Sequence, residues 1–148
     1  MLTRFLATSC LLAAILCGCS SEHFKTGHGD AGRFILDTAI ARGGHPVATN
    51  NLPTLGGRWQ YSTDQYGVVI KLPPDQYPNV EALLANSFGK PKFAPTKGTD
   101  GSMFFFYRLS SKGGAIQVFG QTNYTQVIII RPMPMSDLMQ ALQTGLTN

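Results

Sequence analysis

Two runs in this chain are apolar on every residue, not on alternate ones: Met103-Phe104-Phe105-Phe106-Tyr107 and Val127-Ile128-Ile129-Ile130. A strand points successive side chains to opposite faces of its sheet. A sheet with one wet face therefore alternates apolar and polar residues. These runs do not, so both faces of the sheet they form need cover. Burying one such side chain contributes about 1.5–3 kcal/mol, and a bare row of them makes a patch that soluble monomers rarely keep. Intramolecular helices are the expected cover. A face left open would be a partner surface, and Phe104, Phe105, Phe106 and Tyr107 are its candidate residues.

The remaining elements follow from punctuation. Residues 102–109, 115–119 and 124–131 read as three strands joined by loops of hairpin length, and so as antiparallel neighbours. Trp59-Gln60-Tyr61 and Gly67-Val68-Val69-Ile70-Lys71-Leu72 read as two more strands around a turn near Thr63-Asp64-Gln65. Val80, Leu83, Leu84, Ser87 and Phe88 recur at helical spacing. Pro78 suits the first turn of that helix and Gly89-Lys90-Pro91 its end. Residues 33–42 read either as a shorter helix, capped by Asp30 and stopped by Gly43-Gly44 with Leu36, Ala39 and Ile40 on one face, or as a strand at Phe34-Ile35-Leu36. Residues 45–58 read as a loop. Ser136 would cap a C-terminal helix with Leu138, Ala141, Leu142 and Leu146 on one side. The fold class is α+β: an antiparallel sheet of about four to five strands with one or two packed helices, behind a signal peptide and a flexible tether. Glu81-Ala82-Leu83-Leu84 and Phe88-Gly89-Lys90-Pro91, followed by Phe105-Phe106-Tyr107-Arg108 and two more strands, are also similar to the small lipoproteins of the β-barrel assembly machinery. That resemblance implies a helix ended by a Gly turn, then a three-stranded antiparallel sheet.

The start of the chain addresses it. Met1-Leu2-Thr3-Arg4 carries one cation, and residues 5–16 form an apolar run of 12. A membrane-spanning helix needs about 20, whereas a cationic start, a short apolar run and small residues describe a secretory signal. Leu16-Cys17-Gly18-Cys19 resembles the lipobox of bacterial lipoproteins. The resemblance implies cleavage after Gly18 and a diacylglyceryl thioether on Cys19. Two or more acyl chains, at about 0.8 kcal/mol per buried methylene, anchor stably. The family's sorting rule reads Ser20 as favouring the outer membrane. Residues 1–18 are then the leader, residues 19–32 a polar tether with His23 and His28, and residues 33–148 a single small domain.

That reading fixes the chemistry available to the mature chain. Of the three cysteines, Cys10 and Cys17 leave with the leader and Cys19 carries lipid. No thiol remains for a disulfide, a nucleophile or a thiolate metal site, and no metal or cofactor is expected. The net charge of +4 becomes +3 once Arg4 is removed, since Arg4 is the leader's one charged side chain. Lys90, Lys92 and Lys97 form a basic stretch with Phe93, a candidate contact for anionic headgroups or an acidic partner. Nucleic acid is not an expected partner of an exported protein with no recognition motif. No Gly-x-Ser-x-Gly, Ser-x-x-Lys or His-Glu-x-x-His pattern occurs. His45, before Pro46, reads as a surface residue, and Asp64 and Asp100 as turn carboxylates. The expected function is a non-catalytic, membrane-anchored envelope lipoprotein working through protein–protein contacts in an accessory, assembly or inhibitor role. The alternative is a small cell-wall or lipid-directed enzyme or a small-ligand carrier. It requires Trp59, Tyr61, Asp64, Asp75 and Arg108 to converge in one cleft.

Overall fold

The two apolar runs lie side by side with a third strand between them. The computed structural model describes residues 23–110, 114–132 and 136. The leader, Gly18 and Cys19 lie outside the described residues, as does the expected C-terminal helix apart from Ser136. In chain order the elements are β1 (Lys25–Thr26), α1 (Ala31–Ala41), β2 (Gln60–Thr63), β3 (Gly67–Leu72), a 3-10 turn (Pro74–Gln76), α2 (Tyr77–Phe88), β4 (Phe93–Lys97), β5 (Met103–Arg108), β6 (Ala115–Gly120) and β7 (Thr125–Ile130). The sheet order is β1-β2-β3-β7-β6-β5-β4, and every neighbouring pair is antiparallel.

The α+β class holds, but the sheet has seven strands where four to five are expected. Both additional strands are edges. β1 is two residues long and falls inside the stretch read as a tether. Lys25 faces Tyr61, Thr26 faces Gln60, and the Gly27 N–H donates to the Trp59 carbonyl at 2.8 Å. A Cβ on Gly27 would meet the Trp59 ring, so the backbone passes there because it carries no side chain. The Lys71 ammonium sits 4.4 Å from the centroid of the Phe24 ring, so the chain is docked from residue 24 onward. The tether expected over residues 19–32 is shortened accordingly. β4 (Phe93–Lys97) falls in the basic stretch around Phe93, to which no strand is assigned from the sequence. Its pairing with β5 shifts register between Phe93 and Thr96, next to Pro95, and an edge strand is where a proline is tolerated.

Register separates the two sheet faces. On one, Val68, Ile70, Phe105, Tyr107, Ile116, Val118, Val127 and Ile129 join a buried cluster with Ile35 and Ala39 of α1 and Val80, Leu83 and Leu84 of α2. Both helices therefore cover the same face, and α1 is not available to the other. Its buried stripe is Ala31, Gly32, Ile35, Leu36 and Ala39. Ile40, expected inside, is 42% exposed. On the opposite face Val69, Phe119, Ile128 and Ile130 are buried, with Phe24, Tyr66 and Phe104 packed against them. Ile128 and Ile129 point to opposite faces and both are fully buried, as two-sided apolar strands require.

Helix ends behave as the sequence indicates. The Asp30 side chain caps α1, its Oδ1 accepting from the Gly32 N–H at 2.9 Å and also from the Leu55 N–H at 3.2 Å. Gly89 ends α2 at φ 76°, ψ −142°, a conformation open to glycine alone.

Candidate functional site

Three segments far apart in sequence meet at the C-terminal end of α2 and enclose a cleft of about 260 Å³ lined by His45, Phe88, Lys90, Lys92, Tyr107, Arg108 and Leu109. Each wall is fixed by backbone bonds. The turn after α1 is held by the Gly44 N–H on the Ala39 carbonyl at 2.9 Å, and the Val47 N–H donates to the Ser87 carbonyl of α2 at 2.7 Å. That places His45 beside Phe88. The exit from α2 is held by the Gly89 N–H on the Ala85 carbonyl at 2.9 Å, and by the Lys92 N–H on the Phe106 carbonyl at 2.8 Å. The end of β5 is tied to β6 through the Leu109 N–H on the Gly114 carbonyl at 2.7 Å.

The floor is aromatic. The Phe88 and Tyr107 rings lie 6.3 Å apart, tilted by 57°. The Tyr107 hydroxyl donates to the Gly89 carbonyl at 2.8 Å, which locks the α2–β4 turn to the sheet. Burial, with the negative field of Glu81 added, pushes the Tyr107 phenol up to about 12. It is a neutral hydrogen-bond donor at ordinary pH. Four basic residues are among the cleft's lining, His45, Lys90, Lys92 and Arg108, and all four are exposed. The Arg108 guanidinium is oriented by its Nε–H on the Ser110 carbonyl at 3.1 Å. No carboxylate is among the described lining residues.

The structure brings some of the expected residues together and separates others. Lys90 and Lys92 line the cleft, whereas Lys97 pairs with Met103 at the opposite end of β4. Phe105 and Tyr107 point into the helix-covered core, Phe105 being fully buried and edge-on to Tyr77 at 5.6 Å. They are not part of any open partner face. Phe104 and Phe106 occupy the other side of the sheet, half-buried, with Phe104 against Phe119 at 5.0 Å. The five residues of the enzyme or carrier alternative do not converge. Trp59 and Tyr61 cluster with Phe34, and Arg108 lies on β5, four strand intervals from β2, or about 19 Å at ~4.8 Å each. Asp64 accepts from the Tyr66 and Gly67 N–H groups at 2.6 and 3.0 Å and shapes the β2–β3 turn. Asp75 is in the 3-10 turn. Asp100 accepts from the Ser102 N–H and hydroxyl, which hold its carboxyl below the usual range. Both turn assignments agree with the sequence. That His45 and Arg108 line the same cleft as the two lysines has no sequence signal, because only the fold brings their segments together.

Comparison with known proteins found no matching family model, curated protein or solved structure.

Proposed function

We propose that this chain is a lipid-anchored lipoprotein of the bacterial cell envelope, outer membrane favoured, whose domain acts by non-covalent contact rather than catalysis. The observation that carries this reading is Leu16-Cys17-Gly18-Cys19 at the end of a largely apolar segment with one leading cation. Gly18 presents the small residue at the cleavage position and Cys19 the acyl acceptor. Two-sided burial of a wide antiparallel sheet supports a domain built for rigidity. The role is that of an accessory, assembly or inhibitory subunit with an envelope protein partner.

The test is palmitate labelling in a bacterial host, run beside crosslinking in intact cells. The wild-type chain is expected to take the label and to fractionate with membranes. Cys19→Ala is expected to take no label, to keep its leader uncleaved, and to lose the crosslinked partner. Unlabelled wild-type protein would overturn the anchor. A labelled protein with no specific crosslink would overturn the contact role.

A further inference from the structure

We propose that the second face of the sheet, opposite α1 and α2, is the docking surface for the chain's own residues 136–146, seated as a helix across β3, β7, β6 and β5. This goes beyond the anchor and the contact role, since it concerns how the folded domain closes on itself. It makes Phe104 and Phe106 the floor of an internal interface rather than a surface for an envelope partner.

The burial of this face demands a layer over it. Ile128 has no exposed surface there, and Val69, Phe119, Ile130 and the intervening Gln117 and Gln126 keep 5% or less. Register puts all six on one side. Sheet residues reach such values beneath a second layer, and both described helices pack on the other face. The described residues packed against the apolar cluster are Phe24, Tyr66 and Phe104. Phe24 precedes β1, Tyr66 lies in the β2–β3 turn and Phe104 belongs to β5, so they border the cluster without forming a layer. Gln117 adds a chemical requirement. Its buried Oε1 accepts no hydrogen bond among the described residues, and a buried acceptor needs a donor from what lies over it. An acyl chain has none to give.

Topology and sequence name the occupant. β7 is the fourth of seven strands, and the chain leaves it at Arg131-Pro132 with residues 133–148 still to follow. A segment leaving a central strand passes over one face or the other, and α1 and α2 hold the first. Ser136 is helical and exposed. Leu138, Met139, Leu142 and Leu146 follow at helical spacing on one side, with Asp137, Gln140 and Thr144 on the other. Gln143, at the margin of the apolar stripe, carries an amide donor suited to Gln117. The lengths agree. Residues 136–146 make about 16 Å of helix at ~1.5 Å each. From β3 to β5 is three strand intervals, or about 14 Å at ~4.8 Å each. The leader is the other long stretch outside the described residues, and residues 5–16 show no such two-sided period.

The experiment is photocrosslinking of the full chain in intact cells of a bacterial host, with benzoylphenylalanine in place of Phe106, a half-buried position that register puts beside Gln117 on this face. Mass spectrometry of the product is expected to show the probe joined to residues 133–148 of the same chain, in a species of monomer mass. Leu138→Asp with Leu142→Asp should lower that yield by roughly tenfold or more, because the charges resist burial. Gln140→Asp, on the other side of the segment, should keep the yield of the unsubstituted chain. A probe joined to a second copy, to another protein or to the leader overturns the proposal, as does the absence of any crosslink. Equal losses in the double variant and in Gln140→Asp also overturn it. The first product decides the matter even where the double variant does not fold. None of these readings depends on acylation of Cys19, so failure of the anchor and failure of this docking give different results.

Discussion

Phe104 and Phe105 are adjacent, chemically identical and on opposite faces, so truncating each in turn tests the face assignment. Phe105 has no exposed surface and meets Tyr77 and Tyr107 edge-on, at 5.6 and 5.8 Å between ring centroids. Its replacement by Ala removes a whole buried ring beneath α2, and losses of this kind run at about 3–5 kcal/mol. Phe104 is half-buried and packs against the Phe119 ring at 5.0 Å. An aromatic pair contributes about 0.5–1.5 kcal/mol beyond area, and the residual area burial brings the expected loss to about 1–2 kcal/mol. A domain of this size has about 5–15 kcal/mol in total, so the first variant is severely weakened and the second is not. With an m value near 2 kcal/mol/M in urea, Phe105→Ala should lower the midpoint by about 2 M and Phe104→Ala by under about 1 M. Equal shifts, or a larger one for Phe104→Ala, would refute the register that puts odd-numbered β5 residues under the helices.

Further outcomes follow from the same geometry. Asp30→Ala removes a side-chain oxygen that serves both Gly32 and Leu55, and denaturant unfolding should show a loss of about 1–2 kcal/mol. Gly89→Ala forces a Cβ into a glycine-only conformation and should cost about 1–3 kcal/mol. The same titration curves would show it, and a wild-type midpoint would contradict the backbone assignment. Asp37→Ala breaks the exposed Arg33–Asp37 pair at 3.1 Å and should change stability by less than about 1 kcal/mol. The phenol of Tyr107, raised to about 12 by burial and Glu81, lies above the ordinary value near 10. Its folded state favours the neutral form, so stability should be full below about pH 10 and fall as the pH rises toward 12. Tyr77 is shifted in the same direction by the same causes. Phenolate absorbance that completes its rise by pH 10 without unfolding would contradict the burial of both rings.

How much of this was legible in the sequence depended on how local each signal is. α2 was readable because its apolar stripe, Pro78 and Gly89-Lys90-Pro91 all sit within one short segment, and the helix runs Tyr77–Phe88. The three central strands were readable because their composition admits no wet face. β1 and β4 were not. Lys25–Thr26 and Phe93–Lys97 are short or proline-bearing edges, which gain their hydrogen bonds from a neighbour rather than from their own pattern. Ile40 was misplaced because its spacing from Leu36 suits a buried stripe, whereas the sheet selects the face of Ala31, Ile35 and Ala39 instead. The cleft was half legible. Lys90 and Lys92 announce themselves as neighbouring cations. His45 and Arg108 arrive from loops and strands that only tertiary packing brings to the end of α2.

The anchor at Cys19 is the claim that the envelope location and the missing thiols both depend on. Its most direct measurement is the intact mass of the N-terminal peptide of the protein isolated from a bacterial host. The account predicts a peptide beginning at Cys19 and heavier than its sequence by a diacylglyceryl group, with or without an acyl group on its amine. An unmodified peptide, or one that still carries Met1 and the apolar leader, would contradict it.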